Sequence, residues 1–152
     1  MSYSNAFIGV GSNLPYRDLP PLRVIQSAIK MLGQVDGIKV LKCATPITTT
    51  PINITAADFE VVPEFVNTVV QISTTLLPFE LLKKLQQIED KFARKRHANP
   101  KIKVSRTLDL DIILYGDIEI NTPELTIPHP RYSERDFVMI PLGELKEANS
   151  GA

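Results

Sequence analysis

Apolar residues first cluster in NAFIGV, positions 5–10, and the run ends at Gly11-Ser12-Asn13, the pattern of a buried strand leading into a turn. After Pro21, the residues Leu22, Ile25, Ile29 and Leu32 recur at helical spacing until Gly33, which predicts an amphipathic helix whose stripe faces the core. Period-two alternation with many β-branched residues follows at 38–44 (IKVLKCA) and, more loosely, at 65–73 (FVNTVVQIS), predicting two strands. Between them TPITTTPINITAADFEVVPE holds neither period, and an irregular segment of that length inside a domain points to a loop that touches a ligand. From Pro78 to Phe92, Leu81, Leu82, Leu85, Ile88 and Phe92 mark a second amphipathic helix. ARKRHANPKIKVS has no sustained period, and RTLDLDIILYG at 106–116 reads as a strand. The closing run NTPELTIPHPRYSERDFVMIPLGEL is punctuated by prolines and predicts one short helix.

The order strand, helix, strand, strand, helix, strand is that of the split βαβ arrangement. The fold expected is therefore α+β and ferredoxin-like: a mainly antiparallel sheet with helices on one face and loops covering a substrate site on the other. At 152 residues and 43% hydrophobic content, a single domain over 1–152 is expected. Gly9 and Gly11 read as turn formers. Lys plus Arg and Asp plus Glu both number 17, so any charge-based function must be local, and neither nucleic acid nor an anionic membrane is favoured as partner. Cys43 is the single cysteine, which rules out an internal disulfide framework and fits a reducing compartment. No apolar run approaches the roughly 20 residues of a membrane span, and MSYSNAF lacks the features of a signal peptide. A cytoplasmic protein is expected.

The chemistry concentrates in the last predicted strand. Side chains at i and i+2 share a face, so Asp109 and Asp111 are neighbours while Leu108, Leu110, Ile112 and Leu114 point to the core; Ile113 and Tyr115 continue the Asp face. Adjacent carboxylates repel unless a cation is shared, and magnesium is the natural candidate because it takes one or two carboxylates together with substrate phosphates. The alternative is an ordinary solvated strand face. What shifts the balance is the preceding stretch: from Lys91 to Arg106 there are seven Lys or Arg and no acidic residue. A basic segment feeding a paired-Asp strand supplies phosphate ligands and metal ligands together, as phosphoryl transfer requires; a solvated basic loop or a nucleic-acid patch is the competing reading. Neither a P-loop nor a complete dinucleotide fingerprint is present. His129, between two prolines, suits a phosphate or a turn and, standing alone, is a poor zinc ligand. His97 reads as solvated. Asn67 in an apolar strand is either a satisfied buried amide or one that reads the edge of a flat heterocycle. Phe65, Phe137 and Cys43 are residues of core type.

Taken in order, FIGVGSNL, PEFVNTVVQI, LLKKLQQIE, RTLDLDIILYG and IPHPRYSERDFVMIPL resemble the 6-hydroxymethyl-7,8-dihydropterin pyrophosphokinases of folate biosynthesis over nearly the whole chain. A monomer is expected. The resemblance implies a protein that binds ATP first, then the pterin, closes long loops over both, and transfers the β,γ-pyrophosphate of ATP to the pterin hydroxymethyl group, releasing AMP. It implies two Mg2+ ions held by Asp109 and Asp111. It further implies ATP contacts from Gln86, Glu89, Arg96, Arg106, Ile112 (through its backbone), Thr126, His129 and Arg135, and catalytic roles for Arg94 and Arg106. Thr50, Pro51, Phe65, Asn67 and Phe137 correspond to the pterin pocket, with Asn67 on the edge of the heterocycle and Phe137 on its face. The chain departs from the family in having no Trp, in carrying Ala93 where Gly is usual, and in longer segments before Asn67 and before Arg106. Two rival readings remain at this stage, an RNA-binding sheet face and an inactive scaffold of the same fold.

Overall fold

The structure, a computed structural model, describes residues 3–13, 15–49, 65–92 and 107–150. The strand β1 (Ser4–Ser12) lies at its centre, with β4 (Phe65–Thr74) on one side and β5 (Asp109–Tyr115) on the other, both antiparallel to it. β2 (Ile38–Cys43) pairs with β4 from the far side, giving the order β2-β4-β1-β5, and the short β3 (Ile47–Thr49) pairs with the beginning of β4. With α1 (Pro21–Leu32) between β1 and β2, and α2 (Pro78–Lys91) between β4 and β5, this is the ferredoxin-like interleaving of two split βαβ units in an α+β fold.

Alternation along the strands divides the apolar residues between two layers. Ala6, Ile8 and Val10 of β1, Val70 and Ile72 of β4, and Leu110 and Ile112 of β5 face α1 and α2, where Val24, Ile25, Ala28, Leu32, Leu81, Leu85 and Ile88 complete the main core. α1 begins with Pro21 in its first turn, where the missing N–H costs nothing, and Gly33 closes it by donating to the Ile29 carbonyl at 3.1 Å. Its stripe runs through Val24, Ile25, Ala28 and Leu32; Leu22, expected in the stripe, is 41% exposed. α2 also starts with a proline, and the Glu80 carboxylate accepts the Leu77 N–H at 2.9 Å, satisfying an N-terminal donor.

Three expectations are corrected here. Gly9 and Gly11 are not turn formers: β1 continues through both to Ser12, and Ser12 and Asn13 are buried. Glycine inside a strand marks a place where something must approach the backbone closely. Second, β5 carries a bulge opposite Phe7 and Ile8, so that Ile112 pairs with Ile8 but Leu114 with Phe7. The extra residue reverses the alternation. Leu114 joins Ile113 on the Asp face, and Tyr115 turns into the main core, where its hydroxyl donates to the Leu76 carbonyl. Third, the proline-punctuated C-terminal region contains a hairpin of β6 (Ile120–Asn121) and β7 (Thr126–Ile127), a 3₁₀ turn at Tyr132–Glu134 and the 15-residue α3 (Asp136–Ser150), much more than one short helix. α3 covers part of the sheet face opposite α1 and α2, burying Val138, Leu142 and Leu145 against Ala44, Val69 and Ile113. The Glu144 carboxylate fixes it there by accepting the Thr45 N–H at 3.1 and 3.2 Å and the Thr45 hydroxyl at 2.9 Å. No helix among the described residues is long and apolar enough to cross a membrane.

Candidate functional site

The sheet face not covered by α1 and α2 is apolar under α3 and becomes polar toward the C-terminal end of β1. The pairing register sets out two rows across it. Asn67 of β4, Gly11 of β1 and Asp109 of β5 form one row, and Val69, Gly9 and Asp111 the next. Asp109 and Asp111 therefore do share a face, about 6.6 Å apart along the strand at the usual rise per residue, and Phe65 and Asn67 are on that same face of β4. Gly11 puts no side chain between Asn67 and Asp109, which are about two strand spacings, roughly 10 Å, apart across the sheet, and the end of the Asn67 amide leans into the space over Gly11. An amide and a pair of carboxylates thus stand on one face with no bulkier side chain of β1 between them.

One wall is built by the chain after β7. Ile127–Pro128 is a cis peptide, and the His129 N–H then donates to the Ile113 carbonyl at 2.9 Å, tying the Pro-His-Pro turn to β5. His129 Nε2 comes to 3.9 Å from Asp111 Oδ2, with side-chain exposures of 19% and 38%. Its Nδ1 is buried without a hydrogen-bond partner among the described residues. Burial holds the His129 pKa below 6.5, and the positive charge of Arg135 adds to that; the Pro130 backbone and Asp109 pull weakly the other way. The ring is thus neutral at pH 7. Arg135 ends the 3₁₀ turn, and its guanidinium carbon lies 5.6 Å from the centroid of the Phe137 ring in the first turn of α3. His129 thus stands beside the carboxylates with Arg135 near it and Phe137 against Arg135, three residues of the segment on which the family resemblance placed all of them.

The nucleotide-side residues are arranged less uniformly. Gln86 is exposed on α2, whereas Glu89, expected with it among the ATP contacts, is 3% exposed and points to the sheet. Glu89 Oε2 accepts the N–H of Leu110 at 2.8 Å, and Leu110 is the residue between the two aspartates. That bond identifies the outer edge of β5, so pleating puts the Ile112 N–H and C=O on the same edge while its side chain stays in the core. β7, which carries the half-buried Thr126, lies along β5. Thr50, Pro51, Arg94, Arg96 and Arg106 are outside the described residues. Reasoning from the sequence missed Gly9, Gly11 and the Glu89–Leu110 bond. The glycines had a signal, a G-x-G inside an apolar strand run; the bond joins residues 21 apart and had none.

Among the described residues no cluster of three or more His, Cys, Asp and Glu could hold a metal ion by protein ligands alone. Two half-buried carboxylates on one face fit magnesium bound together with phosphate oxygens and water, and do not fit a closed all-protein cage.

The family model for 7,8-dihydro-6-hydroxymethylpterin-pyrophosphokinase matches residues 7–147. The 2-amino-4-hydroxy-6-hydroxymethyldihydropteridine pyrophosphokinase of Bacillus subtilis is 37% identical over 150 residues, covering 95% of this chain and 83% of that protein. The protein of the same name from a Synechocystis strain is 38% identical over 140 residues, 92% of this chain and 65% of its own length. The folic acid synthesis protein fol1 of Pneumocystis carinii is 39% identical over 136 residues, 90% of this chain but 17% of that protein. The chain belongs to the 7,8-dihydro-6-hydroxymethylpterin-pyrophosphokinase family.

Proposed function

We propose that this chain transfers the β,γ-pyrophosphate of ATP to the hydroxymethyl group of 6-hydroxymethyl-7,8-dihydropterin, forming the diphosphate and AMP, a step of folate biosynthesis. The observation that supports the reading best is the row Asn67–Gly11–Asp109, an amide and a carboxylate on one face of the sheet on either side of a glycine. Asn67 offers a donor and an acceptor to the edge of the pterin, and Phe65 and Phe137 offer apolar surface. The hydroxymethyl end then points toward Asp109 and Asp111.

Asp109 and Asp111 are the residues that would hold Mg2+. Bound there with the polyphosphate, the ions would neutralise the charge that develops during transfer. The chain's own contribution is placement. Glu89 and the strand pairing hold the backbone that carries both carboxylates; His129, neutral and tied to Ile113, presents Nε2 beside Asp111; and Arg135 supplies a fixed positive charge where phosphate oxygens would lie. No covalent enzyme intermediate is required. Thr50, Pro51, Arg94, Arg96 and Arg106 complete the proposed set of ligands, and the protein is proposed to act in the cytoplasm as a monomer. Incubating it with ATP, magnesium and the hydroxymethyldihydropterin should release AMP, with no release when the pterin is omitted. Absence of AMP with all components present would defeat the reading.

A further inference from the structure

Gly11 lies between Asn67 and Asp109, and the space that its side chain would take is in use. A Cβ built on Gly11 would be 2.4 Å from Asn67 Oδ1 and 3.5 Å from its Cγ, whereas the nearest backbone atom, the Val66 carbonyl oxygen, is 3.8 Å away. Torsion angles do not demand glycine here, because the positive-φ glycines are Gly37 and Gly116. Gly9, one row along, differs: its Cβ would come nearest to Ile113 Cδ1, at 3.2 Å, and would press on the apolar layer under α3. At Gly11 the one thing a methyl would displace is the end of the Asn67 amide.

We propose, resting on the reading of Asn67 as the amide that binds the pterin edge, that Gly11 is a positioning residue for the pterin. Its missing Cβ lets the amide lean over β1 toward β5 and fixes the distance between the heterocycle and the carboxylates. With any side chain at 11 the amide must swing back over β4 or away from the sheet, and its donor and acceptor no longer face a ring lying in the row. The displaced atom is the end of a flexible side chain rather than backbone, so the strand itself accommodates alanine. A purely structural glycine would behave in the opposite way, losing stability while binding stayed intact in the folded fraction.

The test compares Gly11→Ala, Asn67→Ala and the double variant by pterin affinity in the presence of a non-hydrolysable ATP analogue, by affinity for the analogue alone, and by thermal midpoint. The expected result is that Gly11→Ala weakens pterin binding roughly tenfold or more, the loss of one or two ligand hydrogen bonds. Affinity for the nucleotide should stay within about twofold. The double variant should bind the pterin no more weakly than Asn67→Ala, because both substitutions remove the same amide contact. If Gly11→Ala lowers the midpoint, adding Asn67→Ala should restore it, since the atom met by the new methyl is gone. Parental pterin affinity in Gly11→Ala, multiplicative losses in the double variant, or a lowered midpoint that the second substitution does not rescue would each overturn the proposal while leaving Asn67 in its role. Parental affinity in Asn67→Ala would overturn both.

Discussion

The two faces of the sheet are built from the same strands to opposite ends. Toward α1 and α2, β1 presents Ala6, Ile8 and Val10, all nearly or fully buried, in one cluster with side chains from both helices and the neighbouring strands. Toward the site, β1 presents Phe7, Gly9 and Gly11, and the neighbouring strands bring Asn67, Asp109 and Asp111 to the gap. The filled face fixes the backbone; the face with glycines uses that fixed backbone to aim charges and an amide. Polar groups can be held at useful spacing here because the layer behind them is close-packed.

The sharpest break between the faces comes from Asp111→Ala. Turnover should fall by roughly 10³-fold, the scale of losing a principal charge-stabilising group, while the thermal midpoint holds or rises because repulsion between neighbouring carboxylates is relieved. An AMP-release assay together with a melting curve reads both, and full turnover would remove Asp111 from the mechanism. Leu85→Ala should give the mirror image. Leu85 is fully buried between α2 and the sheet, so its truncation should cost about 2–5 kcal/mol in urea unfolding, with the activity of the folded protein unchanged. Glu89 joins the two behaviours, since a side chain in the helix layer holds the N–H of the residue between the aspartates. Glu89→Ala leaves that buried donor without its acceptor, at a cost of about 1–3 kcal/mol, and should also lower turnover; Glu89→Gln keeps a carbonyl acceptor and should recover most of the stability. Equal stability losses for the two variants would show that the Leu110 contact is not what Glu89 supplies.

The filled face was the more legible in sequence, because its signal is periodic: Val24 to Leu32 and Leu81 to Ile88 repeat at helical spacing, and FVNTVVQIS alternates. Even there Leu22 was misplaced by about a third of a turn, since spacing alone does not say where a stripe is centred. Asp109 and Asp111 were legible because strand pleat alone decides that i and i+2 share a face. Leu114 and Tyr115 were not, because the bulge that reverses them is a property of pairing with Phe7 and Ile8 and leaves no mark in β5 itself. The length of α3 was hidden by its internal Pro141, and the way His129, Arg135 and Phe137 sit together needs the tertiary contacts of this segment with β4 and β5. Composition suggested no family. The order of motifs did.

His129 gives the smallest effect and separates the faces by pH. Burial, helped by Arg135, holds its pKa below the 6.5 of an exposed histidine. In the window below 6.5 the unfolded chain therefore binds more protons at this residue than the folded one, so native stability falls as pH drops through that window and becomes level again once both forms are protonated. His129→Gln cannot take up that proton. Urea midpoints measured at pH 7 and at pH 5.5 should therefore differ less in the variant than in the parent, the remaining dependence common to both coming from other groups. Among the described residues the filled face contains no histidine, so Leu85→Ala should shift the whole curve without changing its slope. If His129→Gln leaves the slope unchanged, the ring is not held neutral by its surroundings, and a fixed neutral imidazole beside Asp111 has to be given up as part of the site.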